Sequence, residues 1–289
     1  MNAKASSLGT VLVAVVVGAL VTLAASNGGY EVGGVAVFAW GALIAYGLNW
    51  IAYVPSVALR TEKFFDLTGS LTYLSVTVVA LVLVGRYDGR ALILAAMVAI
   101  WAVRLGTFLL RRVLAAGSDS RFDNIKADPL RLLATWTLQG LWVLLTVAAA
   151  LAAITSASDP GLDWLVWVGL GVWLLGFGIE ATADAQKSTF KADPSNDGAF
   201  IDVGLWKWSR HPNYFGEILL WVGVALASVG ALSGWRYVAL VSPVFVFVLL
   251  RFVSGVPMLE RSAEKRWGDD PAYQEYRNNT PLLIVWPDK

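Results

Sequence analysis

Cysteine is absent from this 289-residue chain, and histidine occurs once. The first absence excludes disulfides, thiolate nucleophiles and thiolate-bound metals. The second excludes a metal site built on several imidazoles. Charge is scarce too. Charged residues make up 15% of the chain, where soluble domains carry roughly 25%. A net charge of +1 supplies no concentrated basic face for nucleic acid. No metal is expected, since carboxylates in membrane helices more often serve polar ligands or proton transfer.

What remains is apolar: 57% of residues are hydrophobic and the mean hydropathy is +0.62. A membrane helix takes about 20 mainly apolar residues. Segments 9–26, 33–53, 67–85, 91–110, 132–154, 162–183, 214–231 and 236–254 qualify. The first has only a weak cleavage-like site, Ala24-Ala25-Ser26, and is read as a retained helix. The chain is therefore expected to be all-α, a polytopic integral membrane bundle of seven to eight helices. It reads as one transmembrane domain over 1–289. Residues 1–131 are expected to carry the substrate side and 132–289 the cofactor motif.

Lys4, Arg60, Lys63, Arg111, Arg112, Arg121, Lys126, Arg131, Lys187, Lys191, Lys207, Arg210, Arg261, Lys265, Arg266, Arg277 and Lys289 gather on one side. Only Arg86, Arg90 and Arg236 fall on the other. The positive-inside rule then makes both termini cytoplasmic. Turn residues mark the short outer loops, as in Ser158-Asp159-Pro160-Gly161. The tail Val285-Trp286-Pro287-Asp288-Lys289 carries no retention signal, which points to a prokaryotic plasma membrane. The longer polar segments 111–131, 184–213 and 255–289 lie inside, where sites are expected.

Two constellations stand out. Glu180, Asp184, Lys187 and Lys191 recur at helical spacing on one face. The plain alternative is a solvated helix end, but Glu180 follows an apolar run, where a carboxylate needs partners. Lys187 and Lys191 suit the phosphates of a nucleotide. The second is the run Gly204-Leu205-Trp206-Lys207-Trp208-Ser209-Arg210-His211-Pro212-Asn213-Tyr214-Phe215-Gly216-Glu217. Pro212 opens a helix. Asn213, Glu217 and Trp221 follow one another at four-residue steps, and an amide with a carboxylate one turn on can read a planar amide such as nicotinamide. The alternative is a helix cap at Asn213 with an interfacial aromatic belt of Trp206, Trp208 and Tyr214.

Arg104 and Arg251, near the ends of the fourth and eighth spans, either snorkel to the interface or clamp an anion. Tyr46, Asn49, Tyr53, Asp66, Thr68, Thr72 and Tyr73 give the second and third spans their polarity. Asp66, Tyr73 and Tyr53 are the candidate catalytic donors. Asp66 reads equally as an N-cap. The segment from Glu260 to Tyr276 reads as a charged amphipathic surface helix, with Trp267 and the tyrosines at the headgroups.

The run from Gly204 to Glu217, with Gly176-Phe177-Gly178-Ile179-Glu180 and Asp184 before it and Arg251 after it, resembles the steroid 5-alpha-reductase superfamily. It looks more closely like the bacterial membrane branch, and the resemblance is clear over roughly 165–285. The resemblance implies NADPH in a cytoplasm-facing pocket and hydride transfer to an activated C=C bond of a lipophilic substrate drawn from the bilayer. It implies that Asp184 and Lys191 face the adenine–ribose–phosphate part, that Asn213, Glu217 and Trp221 lie by the nicotinamide, and that Arg104 and Arg251 contact the cofactor from neighbouring helices. Arg210 and His211, as donors suited to phosphate or ribose, complete the candidate cofactor-binding residues with Glu180, Lys187 and Tyr214. The family commonly has asparagine at Glu180. Its enone-holding tyrosine aligns with Trp101, and its glutamate in the second span has no counterpart. The histidine and tyrosine that it carries after the last span fall near Gly255 and Leu259. The Arg-His-Pro opening and the tail residues Glu260, Glu264 and Tyr276 also resemble isoprenylcysteine carboxyl methyltransferases, which implies S-adenosylmethionine. A lipid-binding or transport protein is the non-enzymatic reading.

Overall fold

The computed structural model describes residues 3–117, 122–158 and 160–285. Arg121, Asp159 and 286–289, used above in the charge and turn patterns, lie outside the described residues. The order of elements is α1 (Ala3–Ala25), a two-stranded antiparallel ribbon of β1 (Glu31–Val32) and β2 (Val35–Ala36), α2 (Val37–Leu59), α3 (Phe65–Val84), α4 (Gly89–Ala116) and α5 (Pro129–Ile154). Then come α6 (Trp164–Ala192), α7 (Leu205–Trp208), α8 (Pro212–Ser228), α9 (Val241–Val248), a π-turn (Leu249–Val253), α10 (Val256–Trp267) and α11 (Pro271–Asn279). Among the described residues, eight helical stretches are long and apolar enough to cross a membrane, one at each expected place. The protein is an integral membrane helical bundle.

The helices start and stop where side-chain chemistry dictates. Asp88 accepts from Ala91 N and Asp128 from Leu130 N and Arg131 N, capping α4 and α5. Pro129 and Pro212 occupy first-turn positions that need no amide donor.

The chain forms two compact units, 1–167 with 227–242 and 168–226 with 243–289. This division differs from the expected one at residue 131. The reason is α5, which packs on α1, α2, α3 and α4 in the first unit. Its most apolar window is 89% buried. Lipid tails are as apolar as leucine, so burial from lipid brings little hydrophobic gain and close packing decides. The run Ala148-Ala149-Ala150-Leu151-Ala152-Ala153 meets that demand, and every member of it is buried.

The three arginines of the sparsely charged side are helix-end clasps. Arg236 is wholly buried and donates to Ala152 O and, at 2.9 Å, to Thr155 Oγ1. Arg90 donates to Ala227 O at 2.8 Å and pairs with Asp163 at 2.7 Å. Arg86 pairs with Asp88 and donates to Ser156 O. The last carbonyls of α5 and α8 have no partners within their own helices, and these donors fill that need.

Candidate functional site

The site is built in the second unit, where α6 and α8 touch through glycine. A Cβ on Gly176 would lie 2.5 Å from Leu220 N and 2.6 Å from Gly216 O. A Cβ on Gly216 would lie 2.6 Å from Glu180 N, and a Cβ on Gly223 2.5 Å from Trp173 N. Backbone contact along this seam brings the charged face of α6 to the first turns of α8. Asn213 Nδ2 donates to Asp184 Oδ1 at 3.2 Å. Glu180 and Asp184 are both buried and Glu217 is half-buried. A carboxylate only accepts, so the Asn213 amide nitrogen faces Asp184 and its oxygen points elsewhere.

The Arg210-His211 pair is held from the C-terminal side. Arg210 N donates to Pro281 O at 2.9 Å, and Ser209 Oγ donates to Leu283 O at 2.9 Å. Glu260, on α10, divides its carboxylate between the two side chains. Oε2 lies 2.5 Å from Arg210 Nη1 and Oε1 lies 2.8 Å from His211 Nε2. Since the carboxylate offers only lone pairs, the ring proton sits on Nε2. Burial holds the imidazole below its ordinary pKa, with Lys187 and Arg210 adding to the effect and Glu260 opposing it. The neutral ring therefore presents Nδ1 as an acceptor. Tyr214 stacks on it, ring centres 5.7 Å apart. Three buried polar atoms of this turn have no hydrogen-bond partner among the described residues: Arg210 Nε, His211 Nδ1 and Asn213 Oδ1.

α7 packs on α6. Gly204 takes a left-handed φ of 62°, close against the Gln186 side chain, and Gln186 Oε1 accepts from Leu205 N. Trp206 is buried and donates from Nε1 to Ala183 O at 3.0 Å, with the Lys187 ammonium 4.4 Å over its ring. Trp206 thus belongs to the packing of this unit, and the expected interfacial belt does not include it.

The segment after Glu260 departs from expectation in the same way. Trp267, Tyr273 and Tyr276 gather round Phe200, ring centres 6.2, 5.3 and 5.4 Å away. Trp267 donates to Gly198 O and Tyr276 to Trp206 O, each at 2.6 Å. Arg277 pairs with Glu264. The segment packs its aromatic side chains on the motif's own loop, while much of α10 and α11 is exposed. Burial pushes the Tyr276 hydroxyl pKa up, so it stays a donor. Glu260 is the residue that motif reasoning on the cofactor side missed. Its signal was the methyltransferase-like tail pattern.

The remaining expected residues fall as follows. Trp221 is wholly buried one turn beyond Glu217. Lys191 is exposed near the end of α6. Arg251 lies in the π-turn, its guanidinium 4.9 Å over Phe252. In the first unit, the Arg104 guanidinium stands 6.0 Å over Phe108. Asp66 is inside the first turn of α3, pairing with Arg112 at 3.7 Å, while Phe64 holds the cap position; the N-cap reading of Asp66 is corrected. Tyr53 packs on the Phe122, Leu132 and Trp136 cluster and donates to Pro129 O at 3.3 Å. Tyr73 is buried edge-on to Trp101 at 5.0 Å, which puts a phenol beside the position where the resemblance expects one.

A groove of about 720 Å³ on the opposite face of α6 is lined by Ala181, Thr182, Gln186, Phe190, Asp193 and Asn196 among others and includes neither Arg210, His211 nor Asn213.

The sequence profile of a family described as "Protein of unknown function (DUF1295)" matches residues 52–280. The match reaches back into the second span, further than the motifs alone. Among curated proteins the chain is similar to "Probable O-methyltransferase ustE" of Ustilaginoidea virens, at 27% identity over 145 residues. The aligned part covers 50% of this chain and 45% of that protein, so the chain spans less than half of that relative's length. No solved structure matches.

Proposed function

The chain belongs to the DUF1295 family, of the steroid 5-alpha-reductase-like group, and as such we propose that it is a membrane-embedded, NADPH-dependent reductase of an activated C=C bond. The substrate is an enone-like compound of steroid or isoprenoid character, taken from the bilayer of a prokaryotic plasma membrane. The observation that carries the reading is the turn 210–213, where Arg210 Nε, His211 Nδ1 and Asn213 Oδ1 are buried and unpartnered beside a fixed carboxylate framework.

A nicotinamide carboxamide fits that set: it donates through its –NH2 to the two acceptors and accepts at its carbonyl. Asn213, His211, Glu217 and Tyr214 hold that end, with Trp221 packing below. Lys187, Lys191, Arg210 and Arg251 offset phosphate charge. Asp184 and Glu180 orient the polar face of α6. NADPH supplies the hydride. One carbon of the double bond gains that hydride and its neighbour gains a proton, leaving a CH–CH bond and NADP⁺. On the substrate side the donors are Tyr73, Asp66 and Tyr53, of which Tyr73 stands beside the aligned position.

One observation favours a second reading, methyl transfer from S-adenosylmethionine: the likeness to ustE, with Glu180, Asp184, Glu217 and Glu260 in one unit. Carboxylates suit a sulfonium and an ammonium better than they suit phosphates. Titration of the detergent-solubilised protein with each compound, followed by thermal stability, separates the two. A ligand of the native state raises the midpoint as saturation grows. A rise with NADPH supports the reductase. No rise up to millimolar NADPH, with a rise in S-adenosylmethionine, replaces it with the methyltransferase.

A further inference from the structure

Glu260 is 49 residues from His211 in sequence, yet among the described residues its carboxylate is the group that fixes the ring's proton. We propose that Glu260 is a positioning residue: it locks His211 in its Nε2–H form, so that Nδ1 accepts an N–H of the bound ligand's –NH2 group. This rests on the ligand site proposed at 210–217. It adds what the site reads there, a primary amide or amine, and the residue that sets the reading.

A neutral imidazole carries one ring proton, and its location decides which nitrogen donates. With Nε2 at 2.8 Å from a carboxylate oxygen, that proton has one place. Arg210 occupies the other oxygen, so the carboxylate stays charged and aimed. The ring is 4% exposed and stacked on Tyr214, so it has little room to flip. α10 is itself held: the chain beyond it is pinned at Tyr276 to Trp206 O and at Pro281 and Leu283 to Arg210 and Ser209. Glutamine at 260 has one acceptor oxygen for two donors, so either His211 or Arg210 loses its partner. Aspartate keeps both oxygens on a shorter stem.

The lone histidine makes the test specific. Full-length protein labelled with ¹⁵N-histidine gives one imidazole spectrum. In wild type at pH 7.5 the expected spectrum is a single neutral form protonated at Nε2. Glu260→Gln is expected to show a mixture with the Nδ1–H form, and Glu260→Asp to restore most of the Nε2–H form. NADPH or S-adenosylmethionine, whichever binds, is expected to move the Nδ1 resonance, with binding about tenfold weaker in Glu260→Gln, the loss of one hydrogen bond of about 1.4 kcal/mol. An unchanged Nε2–H spectrum in Glu260→Gln overturns the inference, as does an Nδ1 resonance unmoved by both ligands. If S-adenosylmethionine alone moves it, the reductase reading fails and the positioning role stands. If NADPH raises stability without moving it, the reverse holds.

Discussion

Gly176 and Gly216 put the backbones of α6 and α8 in direct contact: a Cβ on Gly216 would lie 2.6 Å from Gly176 O. The atoms that it meets are main chain, which cannot swing aside. Gly216→Ala is therefore expected to lower the thermal midpoint, by an overpacking cost of about 1–3 kcal/mol. Gly178→Ala is the control. Nothing lies within 4 Å of its Cβ, so the usual gain of about 0.5–1 kcal/mol for replacing a helical glycine applies. Thermal unfolding in detergent reads both signs.

The pH dependence turns on His211. Its pKa is lowered from 6.5, first by burial and further by Lys187 and Arg210, against the pull of Glu260. Between the lowered value and 6.5 the unfolded chain binds the proton and the folded chain does not. Stability is then lost as pH falls below about 6.5. The midpoint of wild type is expected to drop through this window more steeply than that of His211→Gln, in which the group is absent. Equal slopes contradict the assignment.

The C-terminal cap is held by aromatic packing on Phe200. Phe200 is half-buried, so Phe200→Ala is expected to destabilise by about 1–3 kcal/mol, less than the cost of emptying a fully buried phenylalanine site. Because the loss falls on α10 and α11, limited proteolysis is expected to cut first beyond residue 255. Tyr276→Phe removes one hydrogen bond to Trp206 O and is expected to cost about 1 kcal/mol.

Arg236 fills the acceptors at the end of α5. Arg236→Ala removes the guanidinium donor to Ala152 O and Thr155 Oγ1, at about 1–3 kcal/mol for each buried group left under-satisfied. Folded yield after detergent extraction is expected to fall sharply, whereas Arg261→Ala, on an exposed position, leaves it unchanged.

The eight spans were legible because a 20-residue apolar run has few other uses. The face Glu180, Asp184, Lys187 was legible from helical spacing, and α6 is a single helix across it. The cap was not. Arg261, Glu264, Lys265 and Arg266 give α10 a solvated look, and nothing local says that Trp267, Tyr273 and Tyr276 meet Phe200. Long-range pairs such as Glu260 with His211 leave no periodic trace. The clasp arginines were hidden for another reason. Charge counting assigns Arg90 and Arg236 to a side of the membrane and says nothing of the helix-end carbonyls that they meet.

In the proposed function, the turn 210–217 holds the reactive end of a nicotinamide cofactor. Titration of NADPH into wild type and Asn213→Ala, read by the fluorescence of the bound dihydronicotinamide, tests it most directly. Saturable binding in wild type, weakened about tenfold or more in Asn213→Ala by loss of the amide's hydrogen bonds, is the predicted result. Equal affinity in the two proteins, or no saturable binding in wild type, contradicts it.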